Sequence, residues 1–207
     1  MAELVAATYG GIEIRVLSAL ADGGRYLLRP ITPDDKHALV DGFARMSPQT
    51  RLSRFFTNTS KLTDEQLRYF TEIDYVDHFA WVVFDLDTPD HPGAGVARYI
   101  RLPGDPEAAE AAFTVIDDHQ HRGLGILLVV ALADVARKHG VHRFVLYIRS
   151  DNDAMIGLAR ALGARMVVDE PGVLRGELLL DEFADDGMDE FPPAGPNPAG
   201  GTPQSAQ

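Results

Sequence analysis

The chain has 207 residues, 45% of them hydrophobic, and a net charge of −12. That is enough apolar material for one domain with a real core, which excludes wholesale disorder, and the negative balance is a poor match for the phosphate backbone of a nucleic acid. The absence of cysteine excludes disulfides, thiolate nucleophiles and cysteine-based metal sites. The longest apolar run, residues 126–133, falls far short of the ~20 residues that cross a bilayer, so no membrane partner is expected.

The opening "MAELVAATYGG" lacks a basic stretch followed by an apolar one, so no secretory leader and a cytoplasmic location are expected. Residues 1–11 are weakly specified and read as a flexible N-terminus. "IEIRVL" and "RYLLRPI" flank the turn signal "ADGG", a hairpin pattern. Thr32-Pro33-Asp34-Asp35 reads as a helix start, with Leu39, Phe43 and Met46 following at helical spacing. Ser47-Pro48 opens a second helix, and Thr63 with Gln66 forms a capping box before Leu67 and Phe70. Three strands follow in "FAWVVFD", "AGVARYIRL" and "AEAAFTVID", then a helix over 123–139, a strand "RFVLYIR", a helix over 152–162 and two strands, "ARMVVD" and "GVLRGELLL". The last stretch is acidic, then rich in proline and glycine, and 183–207 reads as a disordered tail. Residues 12–182 therefore form the domain, of α/β (α+β) class: a mixed sheet with helices on both faces. The segment 124–136 is apolar on nearly every side and should be buried against that sheet.

The junction "VIDDHQHRGLGILL" carries the chemistry. A strand ends just before a glycine turn that opens a helix, so several backbone N–H groups converge where the helix dipole is positive. Gly123 and Gly125 allow close backbone approach, and Arg122 adds charge to a segment, 119–143, that is locally +3 in an acidic chain. This fits an anionic ligand such as a diphosphate; the other reading is that the glycines serve only helix–sheet packing. Neither the Walker string nor a third Rossmann glycine is present, since Leu128 stands where that glycine would be.

Gln120-x-x-Gly123-x-Gly125 after a strand resembles the acyl-CoA diphosphate loop of the GNAT superfamily of N-acetyltransferases. "SDNDAMIGLARALGA" and "YLLRPITPDD" are similar to its next strand–helix segment and its entry to the first helix, so the resemblance runs over about residues 25–180. Within the superfamily, "SPQTRLSRFF", "LTDEQLRYFTEIDYVDHFAWVV", "GVARYIRL" and "AEAAFTVIDDHQHRGLG" resemble bacterial protein lysine acetyltransferases of the Pat type. The resemblance implies the GNAT fold, with a mostly antiparallel sheet, and direct acetyl transfer from acetyl-CoA to an amine, foremost a protein lysine ε-amine, with no metal. Small-amine or polyamine transfer, and a catalytically silent acyl-CoA-binding regulator, are the alternatives. Several Pat-type proteins carry a cyclic-nucleotide-binding domain ahead of the transferase; 207 residues leave no room for one, so that regulation is not expected.

A lysine ammonium, with a pKa of ~10.4, costs about 4–5 kcal/mol to deprotonate near pH 7, so a positioned base is useful. Glu110 begins "EAAFTV", and strand alternation puts Glu110, Ala112 and Thr114 on one face and Ala111, Phe113 and Val115 on the other. The resemblance implies that Glu110 is the general base; the residues alone also allow a solvated strand-end glutamate. Burial beside apolar groups such as Phe113 is one way to make a carboxylate more basic. The resemblance further implies that Phe113, Thr114 and Val115 run beside the pantetheine arm. His121, Arg122, Gly123, Leu124, Gly125 and Ile126 would hold the diphosphate, and Asn152, otherwise an N-cap, would touch the cofactor. The tyrosine that many small-amine members carry seven residues after this asparagine is Ala159 here, so either the thiolate departs unaided or another group, Tyr147 or Ser150, protonates it. His119 and His121 flank the loop without an evident third metal ligand. Arg51 and Arg54 have two readings, contact with an acidic ligand or structural pairing.

Overall fold

The structure is a computed structural model that describes residues 4–9, 12–18, 20, 23–57 and 59–181, the first two segments as strands only. The tail expected over 183–207 lies outside the described residues.

Sixteen short pieces of chain alternate between sheet and helix in the expected order. Strands β1 (Leu4–Tyr9), β2 (Ile12–Ser18) and β3 (Arg25–Pro30) come first, then a 3-10 turn (Pro33–Asp35) and helices α1 (Lys36–Arg45), α2 (Pro48–Phe55) and α3 (Asp64–Thr71). After them come β4 (His78–Asp85), β5 (Gly93–Leu102), β6 (Asp105–Val115), a second 3-10 turn (Asp117–His119) and α4 (Leu124–Lys138). The chain closes with β7 (Arg143–Arg149), α5 (Asp153–Ala161), β8 (Arg165–Glu170) and β9 (Val173–Leu179). Leu4–Tyr9, which the sequence left as part of a flexible terminus, pairs antiparallel with β2 from Leu4↔Leu17 to Tyr9↔Ile12.

Local chemistry accounts for the helix starts. Thr63 and Gln66 close the expected capping box, through a Thr63 N–H to Oε1 bond of 2.9 Å and a return bond of 3.2 Å. The Ser47 hydroxyl accepts the Thr50 amide at 3.1 Å. Thr32-Pro33-Asp34-Asp35 opens a 3-10 turn before α1. There Asp35 accepts the Thr32 amide at 2.7 Å and a two-pronged bond from Arg29 at 2.8 and 2.6 Å. Burial works to raise the Asp35 pKa, but these donors outweigh it and hold the carboxyl below its ordinary value.

Among the described residues the strands form one nine-stranded sheet, ordered β1-β2-β3-β4-β5-β6-β7-β9-β8. All neighbours are antiparallel except β6 and β7. One face carries α4, which buries eight side chains, among them Leu124, Leu127, Leu128 and Leu132, against Trp81, Ala97, Tyr99, Ala109 and Phe144. The Trp81 indole bonds the Ala131 carbonyl at 3.1 Å, so this core residue leaves no polar group unpaired. The other face carries α1, whose Ala38 and Leu39 pack over Ile31, Ala80, Val82 and Phe84, and beside it α2 and α3, whose Phe55 and Phe70 share a small cavity with Val82 and Val96. The expected mixed, mostly antiparallel sheet with helices on both faces is thus present.

The feature that positions the site is brief. The parallel strands β6 and β7 pair only at Ala108↔Arg143, Ala109↔Phe144 and Glu110↔Val145. Beyond Glu110, β6 stays with β5 as far as Gly95↔Val115, and β7 stays with β9 as far as Arg149↔Val173. The two strands therefore part, and each exposes an edge to the gap. Gly95 lets β5 lie close to the free part of β6: a Cβ there would sit 2.8 Å from the Thr114 carbonyl oxygen and 3.2 Å from Leu128. Neither neighbour can retreat without shifting backbone or core. Gly95→Ala is expected to destabilise the fold by about 1–3 kcal/mol, the usual cost of overpacking, read as a lower midpoint in chemical denaturation; an unchanged midpoint would contradict this packing.

Candidate active site

Between the parted strands lies a cleft of 1360 Å³. Its walls are residues 110–115 of β6, Leu146, Tyr147 and Ile148 of β7, the turn 120–123, the start of α4, Asn152 with the first turns of α5, and one side of α2. Glu110, Phe113, Thr114, Val115, His121, Arg122, Gly123, Gly125, Ile126 and Asn152, expected at the site, all line this cleft. Leu124 does not line it. Its side chain is in the core with the apolar stripe of α4, because residues three and four positions apart share a helix face.

The turn is held from three sides by side chains of its own sequence. Asp117 accepts the Ser47 amide and the Thr50 hydroxyl, both at 2.9 Å, and so fastens the end of β6 to the start of α2. Buried His119 places Nε2 3.1 Å from Asp85 at the end of β4. Burial pushes the Asp85 carboxyl up, but hydrogen bonds from Thr88, the Asp87 amide and His119 bring it down to about 2. Gln120, the first motif residue, donates its side-chain amide to the Val115 carbonyl at 3.0 Å and ties the turn back to the strand. His121 (φ 61) and Gly123 (φ 93) both take the left-handed conformation, which turns the chain sharply into α4. The first intrahelical donor at this end is the Leu127 amide, bonded to the Gly123 carbonyl at 3.2 Å. The earlier amides of the first turn have no carbonyl within the helix to reach, and Gly123, Gly125 and Ile126 border the cleft. Asn152 caps α5 by accepting the Met155 amide at 3.1 Å while also lining the cleft, so its two readings are compatible.

The other half of the cleft lies on the α1–α3 face. Cross-strand pairing puts Glu110 opposite Ile100, Ala112 opposite Arg98 and Thr114 opposite Val96. Phe113 packs on the opposite face, edge-on to Phe144, and Glu110 is exposed, so Phe113 does not desolvate Glu110 as its place in the sequence suggested. The group that answers to Glu110 is Arg54. Burial lowers the Arg54 pKa, and the Glu110 charge partly restores it. Arg51, by contrast, is structural: it bonds the Met46 and Ala44 carbonyls and lies over the Phe43 ring. Tyr147, two residues beyond the partner of Glu110, lines the cleft. Ser150 is exposed and does not border the cleft, and Ala159 is sealed in the core.

Sequence reasoning passed over Arg98 entirely. It is 4% exposed, bonds His78 Nε2 at 3.0 Å and the Phe70 carbonyl at 3.3 Å, and stacks over the Phe70 ring. The signal was available as a single charged residue in the apolar run "GVARYI". Burial, reinforced by the Arg98 charge, pushes His78 down to about 4, so it stays neutral and accepts from the guanidinium.

A parallel strand pair that parts beside a braced helix-opening turn defines a site for a long ligand with an anionic end. The comparisons with known proteins agree. Residues 25–165 match the acetyltransferase (GNAT) domain model. The acetyltransferase Pat of Mycolicibacterium smegmatis is 38% identical over 156 residues, 75% of this chain but 46% of that protein, so the chain spans about half the length of this relative. An acetyltransferase of Pseudomonas aeruginosa is 31% identical over 147 residues, 71% of this chain and 78% of that one. Among solved structures, the GNAT domain of Streptomyces lividans Pat superposes with a TM-score of 0.72 at 29% identity, covering 79% of this chain and 96% of that one. The chain belongs to the GNAT acetyltransferase family and is similar to Pat within it. Among the described residues, no helix is long and apolar enough to cross a membrane and no cluster of three metal-ligating side chains occurs.

The His78 shift has a consequence for stability. Its pKa is lower folded than unfolded, so between pH 6.5 and about 4 the unfolded chain takes up a proton that the folded one declines. The wild-type protein should therefore lose stability relative to His78→Gln as pH falls through that window, measured by urea unfolding at several pH values. A constant difference between the two proteins would contradict a neutral, buried His78.

Proposed function

We propose that this enzyme moves the acetyl group of acetyl-CoA directly to the ε-amine of a protein lysine, with Glu110 as general base. The observation that carries this reading is the position of Glu110. It sits at the last pair before β6 and β7 part, exposed on the cleft wall and on the face away from α4. The amides of Gly123, Leu124, Gly125 and Ile126, with Arg122 and His121, would take the diphosphate at the positive end of α4. Phe113 and Val115 offer backbone groups along the free edge of β6 for the amides of the pantetheine arm, Thr114 between them is held to β5 and lines the cleft with its side chain, and Asn152 would face the same arm from α5. A thioester laid along that edge ends beside Glu110.

The chemistry then balances. Glu110 takes one proton from the lysine ammonium and passes it to solvent, the neutral amine attacks the thioester carbon, and Glu110 takes the second proton from the nitrogen as the tetrahedral adduct collapses. An N–H of the free β6 edge supports the negative charge that develops on the carbonyl oxygen, the C–S bond breaks, and the thiolate leaves. Tyr147, the one of the two sequence candidates that borders the cleft, supplies the thiolate proton. Transfer is direct, since the chain has no cysteine to carry an acetyl intermediate. We place the reaction in the cytoplasm, where acetyl-CoA is made and used.

The acceptor half also bears on what is acetylated. A polyamine site needs several free carboxylates, but the acids lining this cleft are Glu110, Asp151 and Asp153, and Asp151 is spent on Arg149 at 2.9 and 2.7 Å. An open cleft of 1360 Å³ leaves room for a lysine presented on a protein surface. In Glu110→Gln, acetylation of lysine-containing protein should fall about 10²–10⁴-fold, the usual contribution of a general base. Affinity for CoA should hold within about threefold, roughly 0.7 kcal/mol, by titration calorimetry. Transfer at the wild-type rate would remove Glu110 from the mechanism, and loss of CoA binding would make its role structural.

A further inference from the structure

Among the described residues, Arg54 and Arg98 are cations on the Glu110 side of the cleft, and neither forms an ion pair with a carboxylate; the Glu110 charge acts on Arg54 only from a distance. Among the described residues Arg98 bonds only a neutral histidine and a backbone carbonyl, and its Nε is buried with no partner at all. Arg54 rests over the Phe55 ring with no hydrogen bond or ion pair. The nearby acid Asp74, which acts on His78, already accepts the amides of Val76, Asp77 and His78. Tyr69, which acts on both arginines, brings a phenol rather than a carboxylate. A buried guanidinium that lacks a counter-charge is costly, and positions short of an anion are where an anion binds.

There is a place for one. A small cavity of 60 Å³ lies between α1, α2, α3 and β5, lined by Arg54, Arg98 and Thr114 among otherwise apolar side chains. Arg54 and Thr114 also line the main cleft, so the small cavity opens beside Glu110. A carboxylate fits such a volume, which exceeds the roughly 10–15 Å³ that one water requires. Charge points the same way. Near neutral pH this half of the cleft holds two guanidinium charges against the single carboxylate of Glu110. A lysine ammonium arriving alone adds a third positive charge, whereas an acceptor that brings its own carboxylate adds none.

We propose that Arg54 and Arg98 form an anion subsite that reads a carboxylate carried beside the acceptor amine. The preferred substrate is then a lysine flanked by aspartate or glutamate. The inference rests on the transfer reading above and narrows its substrate class. Arg54 makes the direct contact, since it borders both spaces, and Arg98 supplies the second charge from below. The α-carboxylate of a free amino acid has the same chemistry, and the test separates the two sources.

Two peptides that differ only in Glu or Gln beside one lysine are compared as substrates, with free amino acids alongside. The Glu peptide should show a kcat/KM at least about tenfold higher, the ratio that 1.4 kcal/mol represents. That ratio should collapse toward one in Arg54→Gln and survive in part in Arg54→Lys, which keeps the charge. Equal rates for the two peptides in the wild type would overturn the subsite. Acetylation of free amino acids with both peptides inert, lost in Arg54→Gln, would keep the subsite and assign it to an α-carboxylate. Binding of the two peptides with the lysine already acetylated, measured on the CoA-bound protein, needs no turnover. A tenfold preference for Glu there supports the subsite even if lysine transfer fails, and equal affinities overturn it.

Discussion

The structure depends on where one parallel strand pair stops. β6 and β7 share three residue pairs, then each follows its antiparallel partner away from the other. Parallel pairing is the weaker kind of ladder, while β5 holds β6 and β9 holds β7 through much longer registers, so the sheet splits at its one parallel seam. Every later property follows from that split. It frees a strand edge for a peptide-like ligand, sets Glu110 at the fork, and places the start of α4 at the far end of the gap. The close approach of β5 at Gly95 and the Gln120 bond to Val115 keep the free strand in place while its edge stands unpaired.

The motif residues therefore divide their labour. Gly123 makes the left-handed turn, and the first amides of α4 supply donors, but the spacing alone would not keep them aimed at the cleft. Asp117, His119 and Gln120 do that, each fixed to a different element: α2, β4 and β6. A turn anchored this way loses little freedom when a diphosphate binds, so more of the contact energy appears as affinity. The opposite half of the site is built differently, with two cations in an apolar surround, and is therefore suited to selecting charge rather than shape.

Much of this was legible in the sequence because it is local. The Thr63–Gln66 box, the Ser47 cap and the buried stripe of α4 follow from periods of three and four. The alternation from Glu110 to Val115 follows from a period of two, and the resemblance carried the glycine turn to its cofactor. What was not legible needs distant partners. The fork depends on registers between residues as far apart as Arg143 and Leu179, so its exact residue cannot be read from either strand alone. Leu124 sits inside the motif, but the α4 stripe places its side chain in the core, so only its backbone amide is left for a ligand. Phe113 was assigned to Glu110 by proximity in sequence, although alternation sets them on opposite faces. Arg98 went unnoticed because a lone arginine in a strand gains its meaning only when β6 lies beside it and brings Glu110 to the same face.

The central claim is that the free edge of β6 and the first turn of α4 are open for one extended ligand. Amide hydrogen exchange, with and without acetyl-CoA, tests it most directly. The account predicts that the amides of Phe113 and Val115, together with those from Gly123 to Ile126, slow by at least about tenfold on binding, while β2 and β3 stay unchanged. If acetyl-CoA binds and those amides exchange as before, the ligand lies elsewhere and the account is wrong.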